Sequence, residues 1–265
     1  MNVEKYLERI GLDRIGLIPD LACLKLLHRQ HLLNVPFENL DIHWKRPIVL
    51  DTGAFYRKIV SENRGGFCYE LNGLFNELLR EIGFVTRLLS ARVADREGNF
   101  SPEYDHLAIL VIMGEMQYLA DVGFGAFTAE PMQFAPDIEH QDANGRFVIR
   151  RHDGDYFEVA KAEDFGWRSE YIFKPLGHDL AEFAPRCEWH QTSPESHFMR
   201  NKICSLMTPD GRKTLTDTKF IVTKGDERSE TLITSEDVFD WVLMQEFGIS
   251  KEIFAEPVTP IDRFA

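Results

Sequence analysis

The chain predicts an α+β fold, and three observations carry that reading. Apolar residues recur at helical spacing through the first third, the period shortens to strand-like alternation in the middle, and both periods share the last third. At the start, Val3, Tyr6, Leu7 and Ile10 mark one short helix. A second pattern follows Pro19 through Leu21, Leu24, Leu27, His28 and His31, and Pro36 closes it. The clearest helix presents Leu71, Leu74, Phe75, Leu78, Leu79 and Ile82 on one face, with Gly83 in the C-cap position.

Beyond Gly83, residues 85 to 94, 106 to 113 and 116 to 122 are rich in Val, Ile, Leu and Tyr. Gly114-Glu115 fits a tight turn, so His106 to Val122 predicts a β-hairpin. Further strands are expected at 146 to 151 and 156 to 161, around the turn sequence His152-Asp153-Gly154-Asp155. The region reads as a small antiparallel barrel or sheet. In the last third, strands are expected at 203 to 208, 212 to 216 and 219 to 224, with Pro209-Asp210-Gly211 as a turn. A closing helix runs from about Ser235 to Phe247, where Glu236 and Asp237 favour its positive end. Boundaries near residues 84 and 185 divide the chain into 1–84, 85–185 and 186–265.

Composition narrows the function classes. The chain has 265 residues, 30 Lys+Arg against 43 Asp+Glu, and a net charge of −13. An acidic chain without a basic run repels nucleic acid and anionic membranes, so neither is expected as a partner. Cys23, Cys68, Cys187 and Cys204 form no CxxC pair and no compact Cys/His spacing, which disfavours metal. No apolar run approaches the ~18 residues of a membrane span, and the N-terminus lacks a signal core. The chain is expected to be cytoplasmic, with reduced thiols.

The chemistry concentrates in Asn63-Arg64-Gly65-Gly66-Phe67-Cys68-Tyr69-Glu70-Leu71-Asn72-Gly73. Two glycines allow a tight turn, and the amphipathic helix begins at or just after Cys68. A thiol at a helix N-terminus meets unpaired N–H groups and the positive end of the dipole, which favour the nucleophilic thiolate. His106 heads an apolar strand, although chemistry alone does not choose it from nine histidines. With the turn at 114 and 115, opposed residues sum to 229, so His106 faces Gly123 and Asp121 is its diagonal neighbour on the same face. A carboxylate among apolar residues needs a partner, and an imidazolium would supply one. A Cys–His pair buttressed by Asp is therefore reasonable.

Arg64-Gly65-Gly66-Phe67-Cys68-Tyr69-Glu70-Leu71-Asn72 resembles the RGGxCxExN signature of the arylamine N-acetyltransferases. Val35-Pro36-Phe37-Glu38-Asn39-Leu40, Asp105-His106-Leu107, Leu119 to Gly125 and Gln191 to Phe198 resemble four further family segments, in order and spacing. The resemblance implies a three-domain, cysteine-protease-like fold: an N-terminal helical bundle, a central antiparallel β-barrel and a C-terminal α/β lid. It implies a Cys68–His106–Asp121 triad, with acetyl-CoA as cosubstrate and ping-pong transfer to an arylamine, arylhydrazine or N-hydroxyarylamine. It also implies Phe37 and Phe124 in the acceptor pocket. Gly123, Gly125, Trp189, Ser193, Ser196 and His197 would lie along the coenzyme.

Two other readings use the same residues. A thiol hydrolase or transglutaminase-like enzyme also orders Cys, His and Asp in this way, and a binding module could keep the fold without the chemistry. Three expectations can be checked in atomic detail: an ion pair between Glu38 and Arg64 bracing the nucleophile loop, a depressed Cys68 pKa, and a buried Asp121.

Overall fold

The computed structural model describes residues 1–13 and 16–251. Its helical start comprises α1 (Val3–Arg9), α2 (Leu21–Asn34), α3 (Leu40–His43), α4 (Thr52–Tyr56), a π turn over Arg57–Ser61, and α5 (Cys68–Ile82). Each main helix is capped as its residues dictate. Asn2 and Asp20 accept the N–H groups of Lys5 and Cys23, and Gly83, at φ 112°, closes α5 in the left-handed region.

An eight-stranded antiparallel sheet follows and curls into a nearly closed barrel. Its strands are β2 (Val85–Val93), β3 (His106–Met113), β4 (Met116–Ala120), β5 (Met132–Gln133), β6 (Glu139–Asp142), β7 (Gly145–Arg151), β8 (Phe157–Glu163) and β9 (Gly166–Phe173). They are ordered β5-β4-β3-β2-β9-β8-β7-β6. After His106, strand β3 is a continuous apolar run, with both of its faces buried from Leu107 to Val111. Leu107, Ile109 and Val111 pack with the helices, while Ala108 and Leu110 point into the barrel core beside Leu119, Phe147 and Tyr171.

The last part contains α6 (Ala184–Thr192), α7 (His197–Arg200), β10 (Ile203–Thr208), β11 (Gly211–Thr216), β12 (Lys219–Lys224), β13 (Glu227–Leu232) and α8 (Glu236–Phe247). Ser235 caps α8 by accepting the N–H of Val238. A fifth strand joins β10–β13 from far away in the chain: β1 (Phe37–Glu38) pairs with β10, Phe37 opposite Ser205 and Glu38 opposite Cys204. Residues 252–265 of the expected 186–265 segment lie outside the described residues.

The helices and strands expected above appear within one to four residues of their limits. Strands β5, β6, β9 and β13 were not expected. For β13 the reason is that its six residues are all exposed: a solvated edge strand carries no apolar alternation to read. Strand β1 is too short to show a period. One boundary also needs correction, since the strand expected to reach Val122 stops at Ala120, for a reason given below.

A buried ionic cluster ties α3, the π turn, the β1 segment and α5 together. Arg64 donates from Nε and Nη2 to Glu38 Oε1 at 3.0 and 2.7 Å, which bears out the expected pair. The cluster is larger than that pair. Arg64 Nη1 lies 2.9 Å from Asp41, and Lys58 Nζ bridges Asp41 and Glu70 at 2.9 Å each. Glu38 also accepts the N–H of Leu40, and Trp44 lies over the Arg64 guanidinium at 4.6 Å. Arg64 is 1% exposed and Glu38 0%.

Three carboxylates face two cations in this cluster, so one acid carries excess negative charge. Burial, together with Glu38 and Asp41, outweighs Lys58 and pushes the Glu70 carboxyl up from 4.5 to about 7. Between those values the folded chain holds a proton that the unfolded chain has released, so this group's contribution to stability declines as pH rises. Against a Glu70→Gln variant, wild type should therefore lose on the order of 3 kcal/mol between about pH 4.5 and 7. Denaturant titrations at stepped pH measure it, and a pH-independent gap would refute it. Truncating Glu38 to Ala strands Arg64 in the interior. It should destabilise the fold by about 3–5 kcal/mol in the same assay, whereas a loss below 1 kcal/mol would deny the bracing role.

Candidate active site

The nucleophile loop is held by backbone contact. Phe37 bridges Gly66, the Glu38 N–H donates to the Gly66 carbonyl at 2.9 Å, and the Gly66 N–H donates to the Pro36 carbonyl at 3.3 Å. Neither Gly65 nor Gly66 has positive φ. Close approach is what requires glycine here: a Cβ on Gly65 would sit 1.9 Å from the Pro36 oxygen, and one on Gly66 would sit 2.8 Å from Glu70 Cβ. The loop delivers Cys68 as the first residue of α5, 3% exposed. Glu70 secures that first turn by accepting the Phe67 N–H at 3.1 Å.

The hairpin has the expected register, Ile109 opposite Ala120 and Met113 opposite Met116. Asp121 consequently meets His106, with His106 Nε2 donating to Asp121 Oδ2 at 2.7 Å. Asp121 is 1% exposed, and its carboxylate accepts three more hydrogen bonds. Tyr171 Oη donates at 3.2 Å, Asn72 Nδ2 at 2.9 Å and the Gly123 N–H at 2.9 Å. Burial pushes this carboxyl up. The charge and hydrogen bond of His106, with those of Asn72 and Gly123, outweigh burial and leave it below the usual carboxylate range.

Three successive backbone N–H groups explain why β4 ends at Ala120. Asp121 donates to His28 Nε2 at 3.2 Å, Val122 to Asn72 Oδ1 at 2.9 Å, and Gly123 to the Asp121 carboxylate. With all three spent on side chains, no ladder partner is needed. His28 can accept only as a neutral ring. Its Nδ1 bonds the Ala129 carbonyl at 3.2 Å, and burial keeps its pKa below the ordinary value.

Cys68 departs from expectation. Burial pushes its thiol well above the ordinary cysteine range, and Asp105, Asp121 and Cys187 push the same way; the hydrogen bond to the Leu107 backbone opposes them without winning.

Cys68 and His106 open onto one cavity of about 500 Å³. Five of the eight residues expected to touch coenzyme or acceptor line it: Phe37, Gly123, Phe124, Gly125 and His197. The Phe124 ring stands edge-on to His106 at 4.9 Å, and Phe198 packs 6.0 Å from Phe37. Trp189, Ser193 and Ser196 do not line it. Ser196 is fully buried and donates to the His190 carbonyl at 3.0 Å, which braces its own segment. Trp189 carries the Arg186 guanidinium at 3.7 Å. Arg186 and His190 both reach Asp105, at 2.5 and 3.0 Å, anchoring α6 beside His106.

With this geometry established, comparison with known proteins is decisive. Residues 20–254 match the N-acetyltransferase family model. The chain belongs to the arylamine N-acetyltransferase family. It is 32% identical over 248 residues to the arylamine N-acetyltransferase / N-hydroxyarylamine O-acetyltransferase of Salmonella typhimurium, covering 92% of this chain and 87% of that one. Among solved structures it resembles the Mycobacterium smegmatis arylamine N-acetyltransferase, with TM-score 0.89 and 28% identity, over 97% of this chain and 96% of that one. It also resembles the Mycobacterium marinum enzyme in complex with CoA, with TM-score 0.85 and 27% identity, over 94% and 93%.

In this arylamine N-acetyltransferase chain, three supporting residues escaped the sequence reading. Asn72 was legible in principle, because it lies one helical turn after Cys68 in the signature. Tyr171 and His28 approach Asp121 from 50 and 93 residues away, and no local pattern marks them. Among the described residues, no group of His, Cys, Asp and Glu is arranged to hold a metal ion, and no helix is long and apolar enough to cross a membrane.

Gly123 offers a test of how tightly the site is closed. A Cβ there would lie 2.7 Å from Asn72 Nδ2 and 2.8 Å from Cys68 Cα. Gly123→Ala should therefore cost about 1–3 kcal/mol of stability and slow alkylation of Cys68. Denaturant unfolding and iodoacetamide labelling read the two effects. A variant as stable and as reactive as wild type would refute the close approach.

Proposed function

We propose that the chain transfers an acetyl group from acetyl-CoA through Cys68 to an arylamine, an arylhydrazine or an N-hydroxyarylamine. One observation carries the reading: a cysteine on the first turn of α5 shares an aromatic-lined cavity with an imidazole held at 2.7 Å by a buried carboxylate. The activity named for the Salmonella relative supports it. In this reading the segments 1–84, 85–185 and 186–265 supply the nucleophile, the His–Asp pair and a cover over the cavity.

His106 spends Nε2 on Asp121, which leaves Nδ1 to take the Cys68 proton. The raised Cys68 pKa is compatible with that transfer. Asp105 and Asp121, which oppose a lone thiolate, favour the imidazolium that forms with it, and the resulting pair has no net charge. The Cys68 sulfur attacks the thioester carbonyl, the bond to the coenzyme sulfur breaks, and His106 returns the proton to the departing thiolate. Acetyl-Cys68 remains. An arylamine, neutral at pH 7, then attacks the acetyl carbon, His106 accepts the amine proton, and the carbon–sulfur bond to Cys68 breaks. Phe37 and Phe124 suit a flat aromatic acceptor.

Mass spectrometry after mixing with acetyl-CoA should find one acetyl group on Cys68, removed by an arylamine faster than by water. Removal by water alone would favour a thiol hydrolase. Iodoacetamide should label Cys68 below pH 8 and abolish transfer, and labelling of Cys23, Cys187 or Cys204 first would count against the pair. Asp121→Asn presents an amide to His106 and favours the wrong tautomer. Acetylation should fall on the order of 10⁴-fold, as in serine triads. Thermal unfolding run beside the pH profile of alkylation separates chemistry from folding. A folded variant with wild-type rates would remove Asp121 from the mechanism.

A further inference from the structure

We propose that Arg29, Lys161 and Arg212 form an anion-binding cleft next to the cysteine cavity, and that this cleft takes the phosphate groups of the acetyl donor. The proposal rests on the acetyl-CoA reading above and adds to it a second chamber with its own chemistry.

Arg212, on β11, stands at the junction. It lines the cavity of Cys68 and also a separate cleft of about 510 Å³, and Ala126 is likewise common to both. Its guanidinium donates from Nη2 to the Gly125 carbonyl at 2.6 Å and from Nη1 to Ser205 Oγ at 3.1 Å. Both partners are neutral, and two of five N–H donors are used. Among the described residues no carboxylate pairs with it. Burial alone lowers its pKa to about 10, the mark of a desolvated cation without a counter-ion.

Two further cations face the same cleft. Lys161 Nζ donates only to the Ala126 carbonyl, at 3.3 Å, and lies over the Phe147 ring at 5.2 Å. Burial lowers its pKa more than Glu170 and Asp142 raise it. Arg29 also lines the cleft and makes no ion pair among the described residues. One acid, Asp210, lies there too, engaged with Thr208 Oγ1 at 3.0 Å. Three cations gathered without ion-pair partners among the described residues, on a chain of net charge −13, create a local field opposite to that of the molecule.

The shape selects the ligand. An acceptor amine beside Cys68 is small and cannot also occupy a chamber beyond Arg212. Acetyl-CoA carries its reacting thioester at one end of a long neutral arm and its phosphates at the other, so it can span both. The segment bordering the cavity between Val93 and Asp105 carries three acids, Asp95, Glu97 and Glu103, against one cation, Arg96, and would repel the phosphates.

Steady-state kinetics with acetyl-CoA and with S-acetylpantetheine, which lacks phosphate, test the assignment. Arg29→Gln and Lys161→Gln should each raise KM for acetyl-CoA about tenfold, the worth of one charge-assisted hydrogen bond. They should leave kcat and the S-acetylpantetheine KM unchanged. Arg212→Lys, which keeps charge but not the fork, should show a smaller selective loss. Calorimetric binding of 3′,5′-ADP, independent of turnover, should weaken in parallel. Equal losses with both donors, or none with acetyl-CoA, would overturn the cleft, and so would losses seen only with a carboxylated acceptor such as p-aminobenzoate rather than aniline. A wild type that binds 3′,5′-ADP through these residues yet never acetylates Cys68 would sink the transfer reading and leave the phosphate cleft standing.

Discussion

The site depends on a cluster of charges buried behind it. Glu38, Asp41, Lys58, Arg64 and Glu70 come from four separate stretches of chain, and their salt bridges hold the loop that begins α5. Desolvating five ionisable groups is unfavourable unless each finds partners, so their geometry tolerates little displacement. Because Glu70 also caps the first turn and Glu38 belongs to the strand paired with β10, the cluster joins helix, nucleophile loop and C-terminal sheet. The aromatic walls supplied by Phe37 and Phe198 inherit their positions from it.

A second organising point is Asp121. Its carboxylate gathers Tyr171, Asn72, Gly123 and His106, while the surrounding backbone N–H groups are taken by His28, Asn72 and the carboxylate itself. The chain leaves its ladder there without leaving a buried donor unpaired. That departure brings Gly123 against Cys68 Cα, so the His–Asp pair and the cysteine close on one another although they arise from different layers. Orientation of the imidazole thus comes from its bond to a carboxylate that is itself held by Tyr171, Asn72 and Gly123, which gives it rigidity.

Electrostatics divide the surface around the cavity. Carboxylates near Cys68 disfavour an isolated thiolate, and Arg212 and Lys161, which make no ion pair among the described residues, favour anions on the other side. An acidic chain that used the anionic donor proposed above would need such a partition.

Local pattern by itself determined a good deal of this protein. Helical spacing and Gly83 define α5, the turn at Gly114 sets the hairpin register, and that register alone brings Asp121 to His106. The signature around Cys68, with four companion segments, identified the family. These features are legible because they are encoded over a few residues or over one turn of fixed length. The tertiary structure decided what depends on distant encounters. It recruited Asp41, Lys58 and Glu70 to the Glu38–Arg64 pair, and it brought His28 and Tyr171 to Asp121. It turned Ser196 inward, and it set the Cys68 thiol above rather than below its ordinary range. Desolvation and long-range hydrogen bonding govern each of these outcomes, and neither leaves a period or a spacing in the sequence.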